Sequence, residues 1–261
     1  MICTTYNIRG LARADKRRAL RNFISYFETQ ILLLQETMIS AHDAILSFLK
    51  IRPHWRVSTI DAQGLSGGLL TAWNPDFGEL KAYHTIAGLL VEGHIKGFTE
   101  PIRILNIYGP CRDRLPFWEK VDSHNILHLD NLIVGGDLNL TLGQSELWGG
   151  KSLEDSLSGY FKQLFIRTNL VDISLANLAP TWRNGCTGDE NIAKRLDRFL
   201  VSGNLIDRVG RYRSWTSLEG ISDHLPVNLQ VDFHFNRVHY PFKFNKVWLS
   251  DCEFKLAVAN Y

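Results

Sequence analysis

One stretch decides how this chain folds: Ser222-Asp223-His224-Leu225-Pro226-Val227, which continues as Asn228-Leu229-Gln230-Val231. From Leu225 onward every second residue is apolar, the alternation typical of a half-buried β-strand. We therefore expect the carboxylate of Asp223 and the imidazole of His224 at the very start of a rigid strand. A rigid support suits a catalytic histidine, because a displacement of about 1 Å can cost roughly 100-fold in rate. A lone Asp-His pair is also common in polar turns, so other stretches must decide between the two interpretations.

Composition and charge exclude several classes of protein. Of the 261 residues, 45% are hydrophobic and 21% are charged, as in ordinary globular proteins. The 29 basic and 27 acidic residues give a formal net charge of +2, which excludes a histone-like polycation. Any contact with nucleic acid must therefore use local basic patches rather than the overall charge.

Cysteine usage and hydropathy predict an intracellular, soluble chain. The four cysteines are scattered without a CxxC pair, which argues against a disulfide framework or a structural zinc site and fits a reducing compartment. The longest apolar runs fall short of the ~18 residues of a membrane span, and the N-terminus lacks the pattern of a signal peptide. We expect no membrane partner.

Apolar runs of strand length alternate with amphipathic segments of helical length, which predicts an α/β protein. The clearest strands are residues 31–34, 102–108 and 132–134, and the clearest helices are residues 41–49 and 157–169. Several connections have the length of a hairpin. A mixed sheet, or two stacked sheets, therefore fits better than a purely parallel sheet.

The first predicted helix carries a run of positive charge. We expect Asp15 to cap this helix, and its apolar face includes Leu20 and Ile24. The face expected to point outward carries Lys16, Arg17, Arg18 and Arg21. This face is either simply solvated or a patch that meets phosphates, and both interpretations stay open.

Polar side chains recur at the ends of the predicted strands. They are Asn7, Glu36, Tyr108, Asp137 with Asn139, and Asp223 with His224, while Asp197 lies inside a further strand. Packing strands together brings such ends to one rim. Carboxylate and amide oxygens without cysteine suit Mg²⁺ or Mn²⁺ and argue against zinc. We therefore expect a divalent-cation site that leaves positions open for a phosphate oxygen.

Six motifs then carry a specific resemblance. They are Tyr6-Asn7-Ile8-Arg9-Gly10, Leu34-Gln35-Glu36-Thr37, Asn106-Ile107-Tyr108-Gly109-Pro110, Gly136-Asp137-Leu138-Asn139, Arg195-Leu196-Asp197-Arg198-Phe199 and Ser222-Asp223-His224. Their order resembles that of the endonuclease/exonuclease/phosphatase superfamily, over residues 6–224. The resemblance implies a four-layer α/β/β/α sandwich of two packed mixed sheets flanked by helices, with the site at one end of the sheets.

Within that superfamily the chain most resembles the endonuclease domain of plant LINE-type (non-LTR) retrotransposons. Supporting stretches are Ser66-Gly67-Gly68-Leu69-Leu70, Pro180-Thr181-Trp182 and the tail that begins Pro241-Phe242-Lys243-Phe244. The resemblance implies a catalytic domain over residues 1–235. It also implies that residues 236–261 are a tail of the kind that leads toward a reverse transcriptase domain in a full-length element.

The resemblance also implies the roles of the site residues. Glu36, helped by Asn7 and Asp223, would hold Mg²⁺, with Mn²⁺ as the alternative.

The remaining roles concern the phosphate and the attacking water. Asp137 would orient the water or deprotonate it, and Asn139 would hold the water or a phosphate oxygen. His224 would donate to the phosphoryl oxygen, and Asp197 would orient its ring. Tyr108 would bind the phosphate. Whether His224 or Asp137 is the general base stays open at this point.

Three further residues are candidate contacts to substrate: Thr181, Ser222 and Arg9. Thr181 and Ser222 could equally brace the site. Two positions depart from relatives specialised for abasic-site repair, which place an acid where this chain has Arg9 and an asparagine where it has Cys111. Both departures weaken a repair function and leave the retrotransposon resemblance intact.

The function expected from the resemblance is a metal-dependent DNA endonuclease that leaves a 3′-hydroxyl, as in the nicking of a LINE target, and that works in the nucleus. One alternative is another superfamily phosphodiesterase or phosphatase acting on a phosphoinositide, a sphingolipid or an RNA tail. The other is an inactive relic of a retrotransposon that acts at most as a binding module. The sequence indicates neither the oligomeric state nor the target preference.

Overall fold

The computed structural model describes residues 1–63, 66–149, 153–217, 221–233 and 254–256. Residues 254–256 are helical, and the rest of the predicted tail, residues 236–261, lies outside the described residues. The predicted domain boundary at residue 235 therefore stays a prediction. The helices and strands named below all lie before residue 233.

The described residues form fifteen strands and five α-helices. In chain order the strands are β1 (Ile2–Asn7), β2 (Ile31–Gln35), β3 (Arg56–Gln63), β4 (Ser66–Trp73), β5 (Gly78–His84), β6 (Gly88–Ile95), β7 (Ile102–Tyr108), β8 (Leu132–Asp137), β9 (Leu147–Trp148), β10 (Leu170–Asp172), β11 (Trp182–Arg183), β12 (Ala193–Lys194), β13 (Asp197–Ser202), β14 (Arg211–Thr216) and β15 (Val227–Asp232). The helices are α1 (Ala14–Tyr26), α2 (Ala41–Leu49), α3 (Arg114–Ser123), α4 (Ser158–Arg167) and α5 (Gly203–Ile206).

Twelve of these strands build two mixed six-stranded sheets. The first sheet has the order β14-β15-β1-β2-β4-β3, and the second has the order β10-β13-β8-β7-β6-β5. Each contains one parallel pair at its centre, β1 with β2 in the first sheet and β7 with β8 in the second. The prediction of two mixed sheets is confirmed.

The sheets pack face to face around an apolar core. Because side chains alternate across a strand, every second residue of the central strands points between the sheets. This core includes Leu33 and Val227 from the first sheet and Ile104, Ile133 and Phe199 from the second, all with no exposed surface. The side chains on the opposite faces of both sheets are also apolar, so each sheet needs a second cover.

Helices supply that cover on both sides. Leu20 and Ile24 of α1 and Phe48 of α2 pack on the outer face of the first sheet. Trp118 of α3 and Phe161 of α4 pack on the outer face of the second. The predicted four-layer α/β/β/α sandwich is therefore confirmed. None of the helices in the described residues is long and apolar enough to cross a bilayer.

A small third sheet, of order β11-β12-β9, was not predicted from the sequence. The stretch over residues 222–227 lies against this sheet. The regular pairing of β15 begins at Val227, later than predicted, because Pro226 has no N–H to donate. The stretch is instead held against the segment at β11: Leu225 N–H donates to Thr181 O at 2.7 Å, and Arg183 N–H donates to Asp223 O at 3.1 Å.

Helix α1 corrects two predictions. It begins at Ala14, so Asp15 lies inside its first turn, where its carboxylate pairs with Arg13 at 2.6 Å instead of capping the helix. Lys16 points inward rather than outward: its Nζ donates to the carbonyl oxygens of Ile8 at 2.7 Å and Arg9 at 2.6 Å. Buried carbonyls that lack a partner are costly, so Lys16 fixes the loop after β1.

The register of the second sheet brings two acids together. Antiparallel β13 and β8 pair Asp197 with Asp137, and parallel β7 and β8 pair Tyr108 with Asp137. Directly opposed residues point to the same face of a sheet, so both acids point toward the first sheet. Gly136 precedes Asp137, where a Cβ would overlap the carbonyl oxygen of Ile107 on β7.

We predict that Gly136→Ala lowers the free energy of unfolding by roughly 2 kcal/mol or more, because the added methyl group must push β7 and β8 apart. The matched control is Gly159→Ala on the exposed start of α4, where a Cβ meets nothing within 4 Å. It should leave stability unchanged or slightly higher. Denaturant unfolding of the two variants checks this, and equal stabilities would contradict the packing described.

Candidate active site

The ends of the two sheets open onto a single cleft. Its walls include Glu36, Tyr108, Asp137, Asn139 and His224, from four separate parts of the chain. The predicted convergence of the strand ends on one rim is thus what the structure shows. The individual roles of these residues stay predictions.

His224 lies between two buried acids. Its Nδ1 is 2.9 Å from Asp197 Oδ2, and its Nε2 is 3.7 Å from Asp137 Oδ2. The three residues are at most 2% exposed. Asp197 and Asp137 belong to the second sheet, whereas His224 leads into the first. The imidazole therefore joins the two sheets.

The surroundings of His224 favour its charged form. Burial by itself lowers the pKa of the imidazole, but the carboxylates of Asp197 and Asp137 outweigh this and raise the pKa to about 9. At neutral pH the ring is an imidazolium with an N–H on each nitrogen. One N–H is held by Asp197, and the other, on Nε2, faces Asp137 Oδ2 at 3.7 Å in the wall of the cleft.

The surroundings of Asp137 disfavour its charged form. Burial and the nearby Asp197 raise the pKa of its carboxyl well above the usual range, against the opposing effect of His224. Two donors hold the carboxylate in place: Asn7 Nδ2 at 2.9 Å from Oδ2, and the Asn139 N–H at 3.1 Å from Oδ1. A raised pKa brings a carboxylate closer to the range in which it can accept a proton from water.

Glu36 is the centre of the predicted cation site. Its Oε1 accepts from Asn7 Nδ2 at 2.9 Å and from Tyr108 Oη at 2.7 Å. Glu36 adopts a left-handed backbone with φ of 51°, a strained conformation for this residue type that functional sites often retain. The carboxylate of Glu36 is the kind of hard oxygen ligand that Mg²⁺ or Mn²⁺ prefers. Asn7 presents its Nδ2 to Glu36, and its amide oxygen accepts from the Arg9 N–H at 3.3 Å.

Asp137, Asp197 and His224 are themselves a group of metal-type ligands whose atoms lie within 4.8 Å of one another. Both nitrogens of His224 already face carboxylate oxygens. This group is therefore a histidine held between two acids, and Glu36 stays the predicted centre of the cation site.

The third predicted metal ligand, Asp223, is engaged elsewhere. Its Oδ2 accepts from Trp182 Nε1 at 2.8 Å and from Arg9 Nη1 at 2.7 Å. The hydrogen bond from Trp182 to Asp223 was not predicted from the sequence. Ser222, a predicted substrate contact, instead donates its hydroxyl to Asp223 Oδ1 at 3.2 Å.

Thr181 was predicted either to contact substrate or to brace the site. Its side chain is fully buried and makes the contacts of a brace. Its Oγ1 accepts from the backbone N–H groups of Leu196 and Asp197, each at 2.9 Å. Thr181 thus braces the strand that presents Asp197 to His224.

A buried ion cluster behind Asp197 also went unpredicted. Arg195 and Arg198 do not pair with Asp197 but with Glu146 and Asp172, at 2.6 to 2.9 Å. Arg198 Nη2 also donates to the carbonyl oxygen of Leu140 at 2.9 Å, on the loop that carries Asn139. The two basic residues that flank Asp197 therefore tie its strand to the loop on the other side of the cleft.

Comparison with known proteins agrees with this geometry. A family model described as the Endonuclease/Exonuclease/phosphatase family matches residues 4–224. A search of curated proteins finds no match.

Solved structures share the fold at low sequence identity. An AP endonuclease, LMAP, from Leishmania major is 19% identical, with a TM-score of 0.72 over 87% of this chain and 86% of that one. The endonuclease domain of TRAS1, a telomere-specific non-LTR retrotransposon, is 16% identical, with a TM-score of 0.66 over 89% and 98%. The 3′ phosphatase NExo from Neisseria, bound to product DNA hairpin, is 17% identical, with a TM-score of 0.68 over 89% and 99%.

We predict that Thr181→Val reduces activity and stability, because it leaves two buried N–H groups without a partner at a cost of roughly 1–3 kcal/mol each. Thr181→Ser keeps the oxygen and should restore most of both properties. Thermal unfolding and nuclease activity of the pair check this. Equal behaviour of the two variants would show that the hydroxyl does not brace Asp197.

Proposed function

The chain belongs to the endonuclease/exonuclease/phosphatase family, and we propose that it is a divalent-metal-dependent DNA endonuclease that leaves a 3′-hydroxyl. One observation carries the proposal. A cation-type ligand, Glu36, and the pair of Asp137 with a cationic His224 meet in one cleft and are linked through Asn7. Such a cleft can bind a phosphate, orient a water molecule and stabilise negative charge, which phosphodiester hydrolysis requires.

The cation would bind through the carboxylate of Glu36, with Asn7 as a second predicted ligand, whose amide oxygen accepts from the Arg9 N–H in this structure. Bound there, the cation would neutralise a phosphate oxygen and stabilise the leaving 3′ oxygen, and Mg²⁺ is the ion we propose, with Mn²⁺ as the alternative.

The chain's own residues supply the rest of the mechanism. Asp137, its pKa raised by burial, accepts the proton of the water that attacks phosphorus. The His224 imidazolium donates to the phosphoryl oxygen as charge develops there, and Asp197 keeps its ring oriented. Asn139 and Tyr108 line the cleft and provide polar contacts for the phosphate. This assigns Asp137 as the base, and His224 as the donor that stays charged.

We further propose that the DNA is the target of a LINE-type element of the plant kind, in the nucleus. The stretches Ser66-Gly67-Gly68-Leu69-Leu70 and Pro180-Thr181-Trp182, together with the likeness to the TRAS1 endonuclease domain, support the LINE-type part of this proposal. In such an element the nick would prime a reverse transcriptase encoded beyond the tail at residues 236–261. Groove width and bendability, rather than many base contacts, would set the target preference.

Two other functions make different predictions. Another phosphodiesterase or phosphatase of the family would act on a phosphoinositide, a sphingolipid, an RNA tail or a DNA 3′ phosphate. An inactive relic would act at most as a binding module, but every catalytic position of the motifs is filled, which argues against decay.

We expect the intact chain to nick supercoiled plasmid DNA in the presence of Mg²⁺. Glu36→Gln, Asp137→Asn and His224→Gln should each lower the rate by about 100-fold or more, since each removes a group that acts in the transition state. Asp76→Asn, an exposed acid outside the cleft, is the matched control and should be unaffected.

Nicking that survives all three cleft substitutions would exclude the proposed site. Turnover of a phospholipid or of a 3′-phosphorylated oligonucleotide, with no nicking, would move the protein to the second function. Binding of DNA without any turnover would favour the relic.

A further inference from the structure

The guanidinium of Arg9 lies between two of the carboxylates predicted to hold the cation. Its Nη1 is 2.7 Å from Asp223 Oδ2, and its Nε is 3.5 Å from Glu36 Oε2. Asp223 Oδ2 also accepts from Trp182. The protein therefore places a positive charge of its own beside two of the residues predicted to hold the cation.

The backbone of Arg9 is held firmly in this position. Its φ of 45° is left-handed, and its N–H donates to Asn7 Oδ1 at 3.3 Å. Lys16 Nζ binds its carbonyl oxygen, and the next residue, Gly10, donates its N–H to Glu36 O at 2.8 Å. The loop thus ties the base of the Arg9 side chain to the same residues that form the predicted cation site.

The side chain of Arg9 is less restrained than its backbone. The Arg9 side chain is 45% exposed, whereas that of Glu36 is 6% exposed. A divalent ion at Glu36 and a guanidinium beside the same carboxylate repel each other, so the guanidinium must retreat toward Asp223 and solvent when the ion binds.

We propose that Arg9 is a built-in competitor of the divalent ion, which neutralises Asp223 and weakens ion binding at Glu36 in the free protein. The inference rests on the proposed function only in taking Glu36 as the cation ligand. It makes Asp223 the partner of Arg9 rather than a ligand of the ion. Substrate phosphates would then supply the ligands that the weak site lacks.

Binding of Mn²⁺ without DNA tests this directly, by calorimetry and by the electron paramagnetic resonance signal of the free ion. We expect Arg9→Ala and Arg9→Gln to bind Mn²⁺ about 10-fold more tightly than the unmodified chain, a gain limited by the partial exposure of the site. Arg9→Lys keeps the charge and should stay within about 3-fold. Arg13→Ala removes an exposed arginine paired with Asp15 and should change nothing.

A double-mutant cycle separates Asp223 from Glu36. Asp223→Asn should hardly change Mn²⁺ binding while Arg9 is present, but should abolish most of the gain in the Arg9→Ala background. Glu36→Gln should remove binding in either background.

Unchanged or weaker Mn²⁺ binding by both neutral Arg9 variants would overturn the proposal, as would a large loss from Asp223→Asn alone. Because the measurement contains no DNA, it separates this inference from the proposed function. Tighter Mn²⁺ binding by a chain that cannot nick DNA would support the competitor and reject the endonuclease. If the chain nicks DNA but substitutions of Arg9 do not change its affinity for Mn²⁺, the endonuclease is supported and the competitor is rejected.

Discussion

The buried hydrogen bond between Asp197 and His224 joins the two sheets at the edge where their strands end. Asp197 is presented by the pairing of β13 with β8 and by the hydroxyl of Thr181, and His224 is held by the contacts of its segment with β11. A buried charge left without its partner typically costs about 3–5 kcal/mol. The ion pair of Asp197 with His224 therefore forms only when the two large sheets and the small third sheet are all correctly paired. The cleft depends on all three sheets for the same reason.

The same pair separates the roles of the titratable groups. Asp197 and Asp137 keep His224 charged, while burial and Asp197 make Asp137 harder to ionise. An active site can carry out both acid and base catalysis near neutral pH when the surroundings shift the pKa values of neighbouring groups toward that range. The proposed mechanism therefore uses His224 as the charged donor and Asp137 as the base, and this choice stays a prediction.

Local patterns, namely alternating apolar residues and polar residues where the alternation stops, predicted a mixed sheet or two stacked sheets and the convergence of the strand ends. The four-layer sandwich was predicted from the resemblance carried by the six motifs. The sequence did not predict contacts between side chains and partners that are distant along the chain. The helical pattern around Lys16 indicates an exposed face, yet two carbonyls after β1 draw the ammonium inward. Likewise, nothing near Arg198 in sequence reveals that Glu146 and Asp172 will neutralise it. The periodicity of a sequence indicates which face of a helix or strand is buried. It does not indicate which distant residues the side chains will contact.

The protonation state of His224 tests the central claim most directly. A ¹⁵N NMR titration, with the ring assigned by comparison with His224→Gln, should show a pKa of about 9. Because this pKa lies above the usual value of about 6.5, the ion pair adds stability fully below about pH 6.5 and loses it as the pH rises through about 9. Asp197→Asn should lower the pKa of His224, since Asp197 is the main group that raises it against the effect of burial. Titration near pH 6.5 in the intact chain, unmoved by Asp197→Asn, would contradict the account.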